Sequence, residues 1–184
     1  DLAITAAYES DITAPAPTEE NKTFHGWYED AEYTIEATFP ATMPLGGATY
    51  YGYFTDDEAD YTVEIYYADT TNAYAATPDE TKTESGTIGE TVTYTPEEVI
   101  GFELDTAYAD YLASDTLAAT GTVLKIFYKR VETSITFSLG DGKENGATWA
   151  DGTTEDKVVT GLYGADVTAP EAADWEGHNN NGWS

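Results

Sequence analysis

One stretch of this chain occurs twice. Residues Tyr8 to Pro15 read Tyr-Glu-Ser-Asp-Ile-Thr-Ala-Pro, and residues Tyr163 to Pro170 read Tyr-Gly-Ala-Asp-Val-Thr-Ala-Pro. The offset is 155 residues, the distance from position 8 to position 163. It holds upstream, where Ile4-Thr5 answers to Val159-Thr160. With one residue added it holds downstream, where His25-Gly26-Trp27 answers to Asn181-Gly182-Trp183. Between Asp1 and Pro17, seven of seventeen positions are identical. A repeat of this length is a folded unit used again, as in tandem arrays. Catalysis gains little from copying a fold, whereas a stalk or a multivalent binder gains reach or avidity.

Charge narrows the partners. Seven basic residues against 35 acidic ones in 184 give a formal net charge of −28. Nucleic-acid binding needs clustered Lys and Arg to displace counterions, so it is excluded as an expectation. Docking on anionic lipid is excluded by the same sign argument. No apolar stretch approaches the ~20 residues of a membrane span, and no leader-like opening is present. Cysteine is absent, so the cores must suffice without disulfides. Both ends fall inside repeat material, which reads as a piece of a longer, secreted chain.

Strand patterns dominate. Tyr61 to Tyr67 alternates with Tyr61, Val63, Ile65 and Tyr67 on one face, the period of a half-buried strand. Ala48–Phe54, Thr91–Thr95, Ser134–Leu139 and Lys157–Tyr163 read as further strands. Thr122–Tyr128 is almost continuously apolar, as a central strand would be. Helix signals are short. Thr95 to Ile100 offers Thr as N-cap, Pro96 at the first helical position and Glu97 and Glu98 in the first turn, stopped by Gly101. Further short helices are expected over 107–113, over 170–175 and, in the earlier copy, over 16–20. The acidic run Thr55 to Asp60 reads as a junction, and Arg130 to Ser134 as a tight joint. The chain therefore divides into 1–54, 56–132 and 133–184.

Two resemblances follow. Thr23-Phe-His-Gly-Trp-Tyr28, then Thr38 to Pro44 with its Met43-Pro44, then Thr49-Tyr-Tyr-Gly-Tyr-Phe54, resembles the Listeria–Bacteroides repeat, also called the internalin B-repeat. Ile135 to Gly142, Tyr163 to Pro170 and Asn181-Gly-Trp183 supply the earlier part of that pattern in the second copy. The central segment is similar to a mucin-binding-protein (MucBP) type domain through Val63 to Asp69, Gly86-Thr-Ile-Gly89, Val99-Ile-Gly-Phe102 and Val123 to Tyr128. Thr70-Thr71-Asn72 stands where that family has a glycine. The resemblance implies a β-rich α+β fold: tandem small β-grasp (ubiquitin-like) modules in an elongated array. Residues 1–54 would be a B-repeat-like module lacking its opening part, 56–132 a MucBP-like domain, and 133–184 the start of a second B-repeat-like module.

Chemistry is sparse. There is no Cys nucleophile, and the two histidines, His25 and His178, cannot build a usual zinc site without carboxylates. No carboxylate pair stands out for glycoside chemistry. Asp56, Asp57, Glu58 and Asp60 are calcium candidates by oxygen content, as is Asp141 to Asn145, and neither has EF-hand spacing. No other cofactor is expected. Trp27 and Trp183 occupy equivalent repeat positions and read as core aromatics. Trp149 and Trp175 fall outside that motif and are the candidate ligand-binding residues, placed to grip sugar rings if they stand exposed. A covalent Lys–Asn crosslink through Lys125, with Asn72 or Asn145, is the remaining specialised possibility.

The expected function is that of a non-catalytic repeat segment in a secreted or cell-wall-attached bacterial surface protein, working as a stalk or an adhesin array. Its expected location is extracellular, at the bacterial cell surface. The expected partners are neighbouring repeats of the same chain, without nucleic acid and without membrane insertion. The alternative is a module that itself binds mucin glycans or a host surface protein.

Overall fold

The computed structural model describes residues 3–39 and 41–173. In chain order the elements are β1 (Asp11–Ile12), β2 (Lys22–Tyr28), β3 (Ala41–Thr42), β4 (Tyr51–Asp56), β5 (Glu58–Tyr67), β6 (Glu80–Thr87), β7 (Thr91–Thr93), β8 (Phe102–Leu104), β9 (Ser114–Thr116), β10 (Val123–Arg130), β11 (Glu132–Phe137), a single helical turn α1 (Asp141–Glu144), and β12 (Lys157–Leu162). The fold is β-rich and built from small sheets. A four-stranded sheet has the order β6-β5-β10-β8, and two-stranded ribbons join β1 to β3, β2 to β4, β7 to β9 and β11 to β12. Among the described residues, no helix is long and apolar enough to cross a membrane.

The strands expected from alternation are present. β10 lies inside its sheet, and Leu124 and Ile126 are fully buried on it. Among the described residues the expected helices are absent. Residues 95–100 run extended into a turn, with Phe102 N–H bonded to the Val99 carbonyl at 3.1 Å. Six residues cannot repay the cost of helix nucleation unless a packed face helps, and Ile100, the residue that should anchor that face, is 87% exposed. Residues 107–113 form consecutive turns that end where Leu112 pairs with Lys125. Residues 16–20 carry no helix, and in 170–175 the described part is extended, with Ala172 bridged to Trp149.

Contacts gather the chain into two compact units. One comprises the described parts of 1–63, 82–94 and 114–124; the other those of 64–81, 95–113 and 125–184. The central stretch 56–132 contributes to both, and β5, β6 and β10 each begin in one and end in the other. The first unit is centred on Val63, Leu117 and Leu124, with Tyr61 beside them. Gly86 permits this packing: a Cβ there would lie 3.0 Å from Val92 Cγ1 and 3.2 Å from Leu117 Cδ2.

In the second unit both faces of the strands are covered. Ile65 and Ile126 fill one face. On the other, Tyr66 stacks on Phe127 at 4.6 Å with planes 10° apart, and Tyr74 and Tyr108 close over Phe127 at 5.0 and 4.4 Å. Such aromatic pairs add to plain area burial. Tyr66 is thus buried within its own unit. Burial, then its hydrogen bond to Glu64 at 2.7 Å, push the Tyr66 phenol up to about 12. Burial, then Asp105, push the Tyr74 phenol up as well. A raised phenol pKa favours the neutral ring, so this contribution is whole below the ordinary value of 10 and is lost as pH climbs from there toward 12. Absorbance titration should show a late tyrosine step accompanied by loss of folded signal, and Tyr66→Phe should reduce it to the part that Tyr74 contributes. A Tyr66→Phe profile identical to the parent's would refute the assignment.

The joints are short. Only Asp57 separates β4 from β5, so the acidic run expected to be a junction is almost all strand. Only Val131 separates β10 from β11. Around this second joint Arg130 is held from several sides. Its Nε donates to the Ala68 carbonyl at 2.9 Å, its Nη1 to the Tyr163 carbonyl at 2.6 Å, and its backbone N–H to Asn72 Oδ1 at 2.8 Å. The guanidinium sits 4.9 Å from the centre of the Phe102 ring. The Tyr163 ring lies against Gly101, which has φ +81°. All seven basic residues of the chain, Lys22, Lys82, Lys125, Lys129, Arg130, Lys143 and Lys157, lie in a strand or in α1.

Candidate functional site

The first unit carries the richest aromatic surface, on the β2–β4 ribbon. Alternation in Thr23-Phe-His-Gly-Trp-Tyr28 sends side chains to both faces, and a β-bulge between Phe24 and Gly26 adjusts which face each takes. Gly26 sits at φ +137°, a conformation that side chains avoid. On one face Phe24 packs against Trp27 at 5.5 Å and Phe54 at 5.1 Å, all three over Gly52. Trp27 Nε1 donates to the Pro15 carbonyl at 2.8 Å. This face floors an open apolar cleft of about 810 Å³, walled by Ile12, Pro15, Phe39 and Tyr50 among others. That size lies within the range of small-molecule sites. Trp27 is therefore half-buried, a wall of the cleft as well as a packing residue.

An aromatic strip runs along the opposite face and, at Tyr33, also lines the cleft. His25 lies 5.2 Å from Tyr53, Tyr53 5.0 Å from Tyr33, and Tyr28 5.7 Å from Tyr33. His25 also hydrogen-bonds Thr55 Oγ1 through Nε2 at 2.7 Å. Tyr33 is 43% exposed and has φ 57°, which is costly for a bulky residue. Asp30 holds it there. Its carboxylate accepts from Thr34 Oγ1 at 2.7 Å and from the backbone N–H groups of Thr34 and Ile35. The Thr34 hydroxyl, ahead of these amides, holds the Asp30 carboxyl below its ordinary range. The turn thus presents a fixed tyrosine next to the ribbon.

Trp149 is not available as a surface residue. It is fully buried, its Nε1 donates to the Glu155 carbonyl at 2.7 Å, and the Lys157 ammonium lies 5.6 Å from its ring centre. It anchors the β11–β12 region. Trp175 lies outside the described residues, as do His178 and Trp183.

The calcium candidates do not converge. Asp57 accepts from Thr23 Oγ1 at 2.6 Å and Asp60 from Ser85 Oγ at 2.9 Å, while Asp56 pairs with Lys22 at 3.6 Å and Glu58 is exposed at the start of β5. Asp141 opens α1, with Asn145 Nδ2 bonded to its carbonyl at 2.8 Å. Among the described residues no group of three His, Cys, Asp or Glu side chains stands close enough to hold a metal ion. Lys125 pairs with Glu64 at 3.5 Å, and Asn72 is engaged with Arg130. The crosslink partners considered for Lys125 are thus each occupied elsewhere.

Sequence reading missed Tyr28, Tyr33 and Tyr53 as one surface. The available signal was local: Asp30 four residues before Thr34 is a side-chain-capped turn, and it lies between two aromatic strands. No protein-family model, curated protein or solved structure matches this chain.

Proposed function

We propose that this chain is a non-catalytic segment of a bacterial surface protein, outside the cell, in which small modules of β-grasp type follow one another as a stalk or an adhesive array. The observation that carries the reading is the joint at Val131. One residue separates two strands, and Arg130 ties Ala68, Asn72, Phe102 and Tyr163 together around it. All of these residues belong to the second compact unit, so the segment after Val131 packs on the central strands without a free linker, as in a semi-rigid spacer. The internal repeat, the absence of cysteine and the charge of −28 fit an exposed, mutually repelling polymer.

The aromatic strip favours the second reading, direct binding of mucin glycans or of a host surface protein. Exposed rings beside carboxylates offer sugar rings a stacking face, and weak contacts gain from repetition. Binding of the full chain to purified mucin and a glycan panel at physiological salt separates the two. As a spacer the chain should show no saturable binding. Saturable binding that Tyr33→Ala and Tyr53→Ala both weaken at least about tenfold, a loss of about 1.4 kcal/mol, would make the strip an adhesive site instead.

A further inference from the structure

We infer that the cleft of the first unit is a docking groove for a second copy of a segment of the 132–155 type. The internal repeat identifies the occupant. In the second unit Val159 pairs with Ile135, Thr160 with Ser134 and Val158 with Thr136, so the repeated stretch is a strand beside β11. Farther on, Ala172 bridges Trp149. Ala150 N–H donates to the Glu171 carbonyl and Ala173 N–H to the Thr148 carbonyl, both at 2.9 Å. These contacts bury the Trp149 indole completely.

The first unit has the same positions without those neighbours. Val159 corresponds to Ile4, Pro170 to Pro15 and Ala172 to Pro17. Residues 3–7 belong to no described strand, and Ile4 is 47% exposed. Ile4, Pro15 and Pro17 all line the cleft. Tyr163, which in the second unit covers Gly101, corresponds to Tyr8, which is 60% exposed. The residues that receive β11 and Trp149 in one copy thus border an apolar opening in the other. The chain's own 132–155 segment cannot serve both, because it is engaged with β12 and with 171–173. The occupant is therefore a further copy of that segment: a strand to pair with 3–7, and an indole to fill the space beside Pro15 and Pro17. The inference does not depend on whether the array binds a ligand.

The test is a fusion. A copy of residues 132–155 is placed immediately before Asp1 of the full chain, so that Glu155 is followed by Asp1 as it natively is by Asp156. Hydrogen exchange is then read for the amides of residues 3–7 in the fused and parent chains. Docking should slow them by at least about tenfold, as a paired strand is protected against local opening. It should also abolish binding of an apolar dye to the cleft. A fusion whose added copy carries Trp149→Ala should give neither effect. Should the fusion fold poorly, the free 132–155 peptide added in excess to the parent chain supplies the same readout. Unchanged exchange at 3–7 in both formats overturns the proposal, and so does equal protection by the Trp149→Ala copy.

Discussion

Replacing Trp149 with alanine is expected to cost about 3–5 kcal/mol, the usual range for a buried tryptophan truncated to alanine. The surroundings cannot close over the gap easily. The ribbon beside it has only two strands, and such a ribbon is marginal without a packed core. The fully buried indole is the largest completely enclosed side chain in the described structure. Its loss also strands the Glu155 carbonyl that accepts the indole N–H. Hydrogen exchange should show β11 and β12 losing protection together while β5 and β10 keep theirs. Trp149→Phe fills most of the space but leaves that carbonyl unpaired, and should cost about 1–3 kcal/mol. A Trp149→Ala protein whose β11 and β12 amides exchange as slowly as the parent's would show that the ribbon is held by something else.

Gly101→Ala is the second large expected effect, and it acts on the joint. At φ +81° a residue with a side chain is strained by about 1–3 kcal/mol. A Cβ there would also collide with the Tyr163 ring. The ring must move, and the bond from Arg130 Nη1 to the Tyr163 carbonyl is expected to go with it. The two costs separate in a double-mutant cycle. In a Tyr163→Ala background the collision is gone, so Gly101→Ala should cost only the backbone strain. Coupling of about 0.5–3 kcal/mol between the two sites is expected from denaturant melts. Additive costs would mean that Tyr163 does not dock on Gly101.

What could be read from the sequence was what lies close along the chain. β5 showed itself because alternation is a two-residue property, and β10 because its apolar run is nearly unbroken. The helix expected at 95–100 had every local mark of a helix start. It failed because Ile100 meets nothing, and a short helix is made by what it packs against. Trp149 was misread for the same reason. Its burial depends on Glu155, on Lys157 and on the backbone at 171–173, none of which its own neighbourhood reveals. The aromatic strip was half legible. His25 and Tyr28 stood within a motif, but Tyr33 joins them only because Asp30 turns the chain back toward β4. The acidic run at 55–60 misled through composition: carboxylates at the edge of a strand and carboxylates in a linker look alike until the ladder is known.

The placement of the seven basic residues bears on how readily such a chain is cut by proteases. Enzymes of the trypsin class cut after Lys or Arg and must thread several residues of extended, unpaired backbone through their active site. Here each Lys and Arg lies in a strand or in the single helical turn, so cutting must wait for that element to open, at a rate set by local stability. The turns, where proteases ordinarily nick first, hold acids, glycines and threonines instead. Enzymes of that specificity would find the folded chain a poor substrate, while enzymes that cut beside tyrosine or glutamate would meet no such restriction.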